Sequence, residues 1–89
     1  MRYAINPRFS FQPLEDKVVV WDNESGHTFV LNNTAWFILY LIDGGVSSYD
    51  EIVDRVSEEY GVDRDEVEED VKRFLKEMEE VGLIWKEGS

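Results

Sequence analysis

Polar and aromatic residues alternate in Arg8-Phe9-Ser10-Phe11-Gln12. A period of two predicts a half-buried strand over residues 8–12, with Phe9 and Phe11 facing in. Residues 1–7 lack such a period and read as an irregular arm that Pro7 ends. Residues 13–16 read as a turn. Lys17-Val18-Val19-Val20-Trp21-Asp22 is rich in β-branched residues and predicts a second strand. Residues 23–26 supply the next turn, where Gly26 can take positive φ. A third strand over residues 27–31 runs straight into a helix start, with no linker between them.

The period then changes. Asn32 or Asn33 caps a first helix by accepting free N–H groups of its first turn. Trp36, Phe37, Ile38, Leu39, Tyr40, Leu41 and Ile42 make that helix apolar nearly all round, which predicts a buried centre. Asp43-Gly44-Gly45 stops it. Ser48-Tyr49-Asp50-Glu51 fits a capping box: Ser48 caps forward and Glu51 reaches back. The second helix turns Ile52, Val53 and Val56 inward, carries Tyr60 near its end and stops at Gly61. Asp63-Arg64-Asp65-Glu66 opens a third helix with acids at the positive end of its dipole. Its apolar stripe is Val67, Val71, Phe74, Leu75, Met78 and Val81, and Gly82 ends it. Leu83-Ile84-Trp85 is a short apolar tail, a strand edge or a plug on the core. Strands followed by helices predict an α+β domain over residues 8–86, with a frayed tail at 87–89.

Composition narrows the partners. The chain has 89 residues, 43% apolar and 13% aromatic, enough for one modest core. A domain of this size buries about 60–65% of its unfolded surface. Nine basic residues stand against 20 acidic ones, for a net charge of −11. Contact with nucleic-acid phosphates or an anionic membrane needs cations, so both are disfavoured. A basic or mixed-charge peptide suits the surface better. No cysteine is present, which removes disulfides, thiolate metal sites and cysteine nucleophiles within the chain. No apolar run approaches the roughly 20 residues of a membrane span, and the N-terminus lacks a signal-peptide core. The expected location is the cytoplasm.

Catalytic chemistry is not visible. His27 is the one histidine and reads as an exposed residue after the turn; alone it makes no zinc site. The acids from Asp63 to Asp70 lack the alternating oxygens and central Gly of a calcium loop. Ser47 and Ser48 have no base nearby, and Gly44-Gly45 follows a helix rather than a strand, so no phosphate loop is present. The expectation is a protein that is not an enzyme and needs no cofactor. Lys72, Arg73 and Lys76 gather three of the nine basic residues on the third helix. They either pair with Glu69, Glu77 and Glu80 or attract the acids of a bound peptide. Three helices and a hairpin also suit a winged-helix module in transcription. The acids that open the third helix argue against its reading DNA.

In their order, these residues resemble the PqqD-like family, also called RiPP recognition elements, the peptide-binding domains of ribosomal peptide maturation. The matching residues are Asp22, Gly26, Leu31-Asn32, Thr34-Ala35, Asp43-Gly44, Ser48 with Glu51-Ile52, Asp70, Phe74-Leu75 and Gly82-Leu83. They span nearly the whole domain. The chain departs from the pattern in its longer Gly45-Val46-Ser47 loop and in the bulk of Trp36 and Phe37. The resemblance implies a three-stranded antiparallel sheet packed on three helices, winged-helix-like. It also implies binding of a precursor's leader segment, added as a strand beside the third strand and along the third helix. The domain would then deliver the peptide to a separate modifying enzyme, often a radical S-adenosylmethionine enzyme. On this reading the backbone of His27, Thr28, Phe29 and Val30 forms the ladder. Val71, Phe74 and Leu75 floor a pocket or serve as ordinary core. Arg73 and Lys76 meet leader acids. Asp70 accepts from the leader or faces solvent.

Overall fold

The computed structural model describes residues 2–87. Eight elements follow in the order β1 (Arg2–Ile5), β2 (Phe9–Pro13), β3 (Val18–Asp22), β4 (Thr28–Leu31), α1 (Asn33–Asp43), α2 (Tyr49–Tyr60), α3 (Arg64–Glu80) and β5 (Ile84–Glu87). The class is α+β with three helices. The arrangement differs from one three-stranded sheet: β2-β3-β4 form an antiparallel sheet, and β1 with β5 form a second, two-stranded one.

The irregular arm expected at 1–7 is thereby corrected. Arg2–Ile5 is a strand that sets Ile5 opposite Ile84 and Arg2 opposite Glu87. Its partner comes from the far end of the sequence, and Arg-Tyr-Ala-Ile has no alternation to announce it. The tail Leu83-Ile84-Trp85 is the other half of this ribbon. Asn6 anchors the corner, donating its N–H to the Leu83 carbonyl at 2.7 Å and its side-chain amide to the Gly82 carbonyl at 2.9 Å. Of the tail expected at 87–89, Glu87 closes β5; residues 88 and 89, like residue 1, lie outside the described residues.

Period-two alternation sorts the three-stranded sheet into faces. Phe9, Val18, Val20 and Leu31 are buried on the inner face, with Phe11 and Phe29 half-buried beside them. Phe11 meets Trp36 of α1 at a centroid distance of 5.4 Å and ties the sheet to that helix. Ile38, Leu39, Leu41 and Ile42 of α1 are buried, as expected of a central helix, but Tyr40 is 63% exposed. Asn32 is the cap: its Oδ1 accepts the Ala35 N–H at 2.8 Å, so β4 passes into α1 without a linker.

Ser48 caps α2, its Oγ accepting the Glu51 N–H at 3.4 Å and donating to the Glu51 carboxylate at 2.9 Å, so Glu51 reaches back to the hydroxyl. Gly61 ends α2 at φ +62°, a conformation that favours glycine. On α3, Val67, Val71, Leu75 and Met78 are buried. Val81, read as the last member of that stripe, is exposed, because the helix ends at Glu80 and Val81 caps it. Arg64 holds α3 against α2 through Asp50 at 3.2 Å, together with Asp54. No helix among the described residues is long and apolar enough to cross a membrane.

Candidate strand edge and groove

The β3–β4 hairpin is built around Asp22. Its N–H donates to the His27 carbonyl at 2.9 Å, and its carbonyl accepts the Gly26 N–H at 2.8 Å. Gly26 sits at φ +81°, closing the four-residue loop. The buried Asp22 carboxylate accepts the Glu24 N–H at 2.9 Å and meets Arg8 Nε at 2.9 Å. Burial works against its charge. Hydrogen bonds from Glu24 and Ser25 and the Arg8 guanidinium outweigh that effect and hold its pKa below the ordinary carboxylate range.

These bonds set the phase of the ladder. Along an antiparallel strand, residues that bond one neighbour alternate with residues whose backbone points the other way. Because Asp22 bonds His27, the register makes Val20 bond Phe29 and Val18 bond Leu31. On the other side Asn23 donates to Arg8 at 3.0 Å and Leu14 to Lys17 at 2.8 Å, so Trp21 and Val19 bond Ser10 and Gln12. The backbones of Thr28 and Val30 therefore point to the open side of β4. Those of Phe9, Phe11 and Pro13 point to the open side of β2.

The two open sides are unequal. On β2 the Phe9 N–H is taken by the Asn6 carbonyl at 3.2 Å, and Pro13 has no N–H. On β4 both outward N–H groups are available: among the described residues neither donates outside the ladder. This edge can accept a strand.

A groove of about 470 Å³ begins where β4 ends. Asn32, the residue after β4, is part of its lining. Thr34, Ala35 and Ile38 of α1 form one wall, and Val67, Asp70, Val71 and Phe74 of α3 form the other. Val56 and Tyr60 of α2 also line it, with Val62. The lining is mostly apolar, and Asp70 on the rim pairs with Arg73 one turn on. Tyr60 and Val62 are 44% and 37% exposed, apolar surface left open beside the cavity.

The residues singled out from the sequence fall into three places. Thr28 and Val30 are exposed on the open edge; Phe29 between them is half-buried, bonds Val20 and packs edge-on against Phe9 at 6.4 Å. His27 precedes β4, is exposed, and its carbonyl is already engaged by Asp22. Asp70 and Phe74 line the groove, Val71 reaches it from the core at 1% exposure, and Leu75 is core. Arg73 is beside Asp70, but Lys76 lines a different cleft, with Tyr3, Tyr49 and Lys72. Neither Arg73 nor Lys76 pairs with Glu69, Glu77 or Glu80 among the described residues. The α1 wall was not read from the sequence, where Ile38 served only as helix core and Thr34-Ala35 only as part of the family match. The exposed Tyr60 and Val62 flanking Gly61 were the signal that something apolar remained open there.

A family model described as coenzyme PQQ synthesis protein D (PqqD) matches residues 17–84. Among solved structures, the chain is similar to TbiB1 in complex with the TbiA(beta) leader peptide. Identity is 29% and the TM-score 0.83, over 97% of this chain and 99% of that one. It is also similar to a lasso peptide synthetase B1 complexed with the leader peptide, at 26% identity and a TM-score of 0.80, over 97% and 100% of the two chains. No curated protein matches the chain.

Proposed function

The chain belongs to the PqqD family, and from that premise we propose that it binds the leader segment of a ribosomally made precursor peptide and presents it to a separate modifying enzyme, catalysing no step itself. One observation supports the reading: β4, with its free edge donors, ends at Asn32, which lines an apolar groove between α1 and α3. Main-chain bonds to Thr28 and Val30 supply affinity without regard to sequence, and the groove supplies choice among side chains. Side chains of an added strand alternate between two faces. One set reaches the groove wall of Val71 and Phe74. The other continues the outer face beyond Val30.

The rim electrostatics fit a leader that carries acids. Arg73 exchanges Asp70 for a leader carboxylate, and Asp70 then accepts from leader donors. Lys76 lies two residues past Phe74, about 200° around the helix, and takes no part in this contact. By family resemblance the modifying enzyme is proposed to be of the radical S-adenosylmethionine class; the likeness to a lasso peptide synthetase B1 makes lasso peptide maturation the alternative setting. Adjacent genes separate these two. The domain works in the cytoplasm, where precursor and enzyme meet. A DNA-reading role is opposed by Asp65 and Glu66 in the first turn of α3.

Calorimetric titration with the leader of a precursor encoded beside the domain tests the proposal. Binding that saturates near one leader per domain supports it; the absence of saturable binding refutes it.

A further inference from the structure

A second cleft lies on the side of α3 away from the groove. Lys72 and Lys76 of α3, Tyr3 of β1, Tyr49 of α2 and Lys86 of β5 line it with Glu79 and Glu80, around a volume of about 630 Å³. The two α3 lysines are one turn apart on the same face, an arrangement of like charges that does not favour the helix. Both are exposed, and neither forms a salt bridge among the described residues, whereas Arg8, Arg64, Arg73 and Lys86 all do. Arg2, Lys17 and Arg55 also form none, but none of them lines this cleft. A chain with 20 acidic residues has ample means to neutralise a lysine pair. Here the pair is left open.

The remaining lining favours an anion that also accepts hydrogen bonds. Lys86 lies 3.7 Å from Glu79 and offsets that carboxylate. Tyr49 donates its hydroxyl to the Glu68 carbonyl at 3.1 Å, which fixes the ring. Burial, then Glu79 and Tyr49, push the Tyr3 phenol above its usual range, so an O–H donor persists in the cleft.

We infer that this cleft is a second docking site, taking an acidic segment of the enzyme that receives the leader. The inference rests on the proposed leader-binding role. Charge complementarity selects the occupant: two unpaired lysines, beside a Lys86 that offsets Glu79, line one cleft of a domain with net charge −11. A peptide carboxylate fits better than nucleic acid, because Glu79 and Glu80 would face a continuous line of phosphates. The leader groove opens on the other side of α3, so leader and enzyme segment bind together without competing.

Polarisation titrations with a fluorescein-labelled oligoglutamate peptide at low salt test the site. Four proteins are compared: wild type, Lys72→Glu/Lys76→Glu, Lys72→Gln/Lys76→Gln, and a Lys17→Glu/Arg55→Glu control of matching net charge. The glutamate pair is expected to weaken binding about tenfold and the glutamine pair several-fold, while the control loses far less. Retention of the neighbouring maturation enzyme by the leader-loaded domain should fall in the same order. The site is overturned if wild type does not bind the peptide, or if the control loses as much as the lysine pair. It is also overturned if an oligodeoxynucleotide of equal charge binds as tightly. Unchanged enzyme retention overturns the assignment to that enzyme. Leader affinity, titrated separately in the same four proteins, should stay constant. If wild type fails to bind leader, the leader reading falls, while the oligoglutamate result still reports on the cleft.

Discussion

Val30 lies directly opposite Val19 on the outer face of the sheet, yet its backbone N–H and carbonyl point away from Val19, to the open edge of β4. Phe29, one residue earlier, is the reverse: its backbone bonds Val20 and its side chain faces the core. Neighbouring residues on one short strand therefore have separable duties.

Proline substitution should resolve those duties. Val30→Pro or Thr28→Pro removes a donor that faces solvent, a change an edge strand tolerates. Either variant should keep its melting temperature within a few degrees of wild type and lose leader binding by more than about tenfold. Phe29→Pro removes a donor inside the sheet and should cost about 3 kcal/mol or more of stability. Thermal melts and leader titrations on the three variants check this. Equal stability losses at all three positions would refute the assigned ladder phase.

The two apolar neighbours Phe74 and Leu75 should divide in the same way. Leu75 is 1% exposed and belongs to the core, so Leu75→Ala should destabilise the domain by about 2–5 kcal/mol. Phe74 is half-buried on the groove wall. Phe74→Ala should cost less stability and weaken leader binding by about tenfold, the effect of removing one well-placed aromatic anchor. Urea midpoints paired with leader affinities separate the two effects.

Much of this was legible in the sequence because it is local. The caps at Asn32 and Ser48, the hairpin loop closed by Gly26 and the stripe of α3 each depend on residues within one or two turns of one another. The β1–β5 ribbon was not legible, since Arg2–Ile5 is a strand only because residues from the other end of the chain lie beside it. The groove was half legible. The core residue Val71 and the half-buried Phe74 share a face of α3, and periodicity cannot tell one from the other; the α1 wall follows from how α1 and α3 pack. The basic cluster misled through spacing: Lys72, Arg73 and Lys76 are close in sequence, yet Arg73 turns toward Asp70 and the two lysines turn away.

Asp22 should give the hairpin a defined acid sensitivity. Its folded pKa is depressed, so it contributes stability that is fully present above the unfolded carboxylate value, about 3.9. That contribution is lost as pH falls through the lower folded value. Asp22→Asn should melt below wild type at pH 7, and the two should converge as pH drops below about 4. Melting temperatures across this range, read as the difference between the two proteins, isolate Asp22 from the other acids. A constant difference would mean the asparagine defect is one of shape rather than charge.

The Asp70–Arg73 pair should act on rate more than on stability. Both side chains are exposed, at 73% and 67%, so the pair contributes little to folding, and neither substitution should move the melting temperature by more than a few degrees. Their effects on an acidic leader should have opposite signs. Arg73→Glu places two like charges at the groove rim; it should slow association severalfold and flatten or invert its dependence on salt. Asp70→Asn removes the partner that occupies Arg73 and one negative charge from the rim, so association should quicken and its salt dependence steepen. Stopped-flow association rates at low and moderate salt distinguish this from a purely structural role. If Asp70 only braced Arg73 in a required position, Asp70→Asn would slow binding as Arg73→Glu does. Opposite movements of the two rates require instead that the pair tune charge at the entrance to the groove.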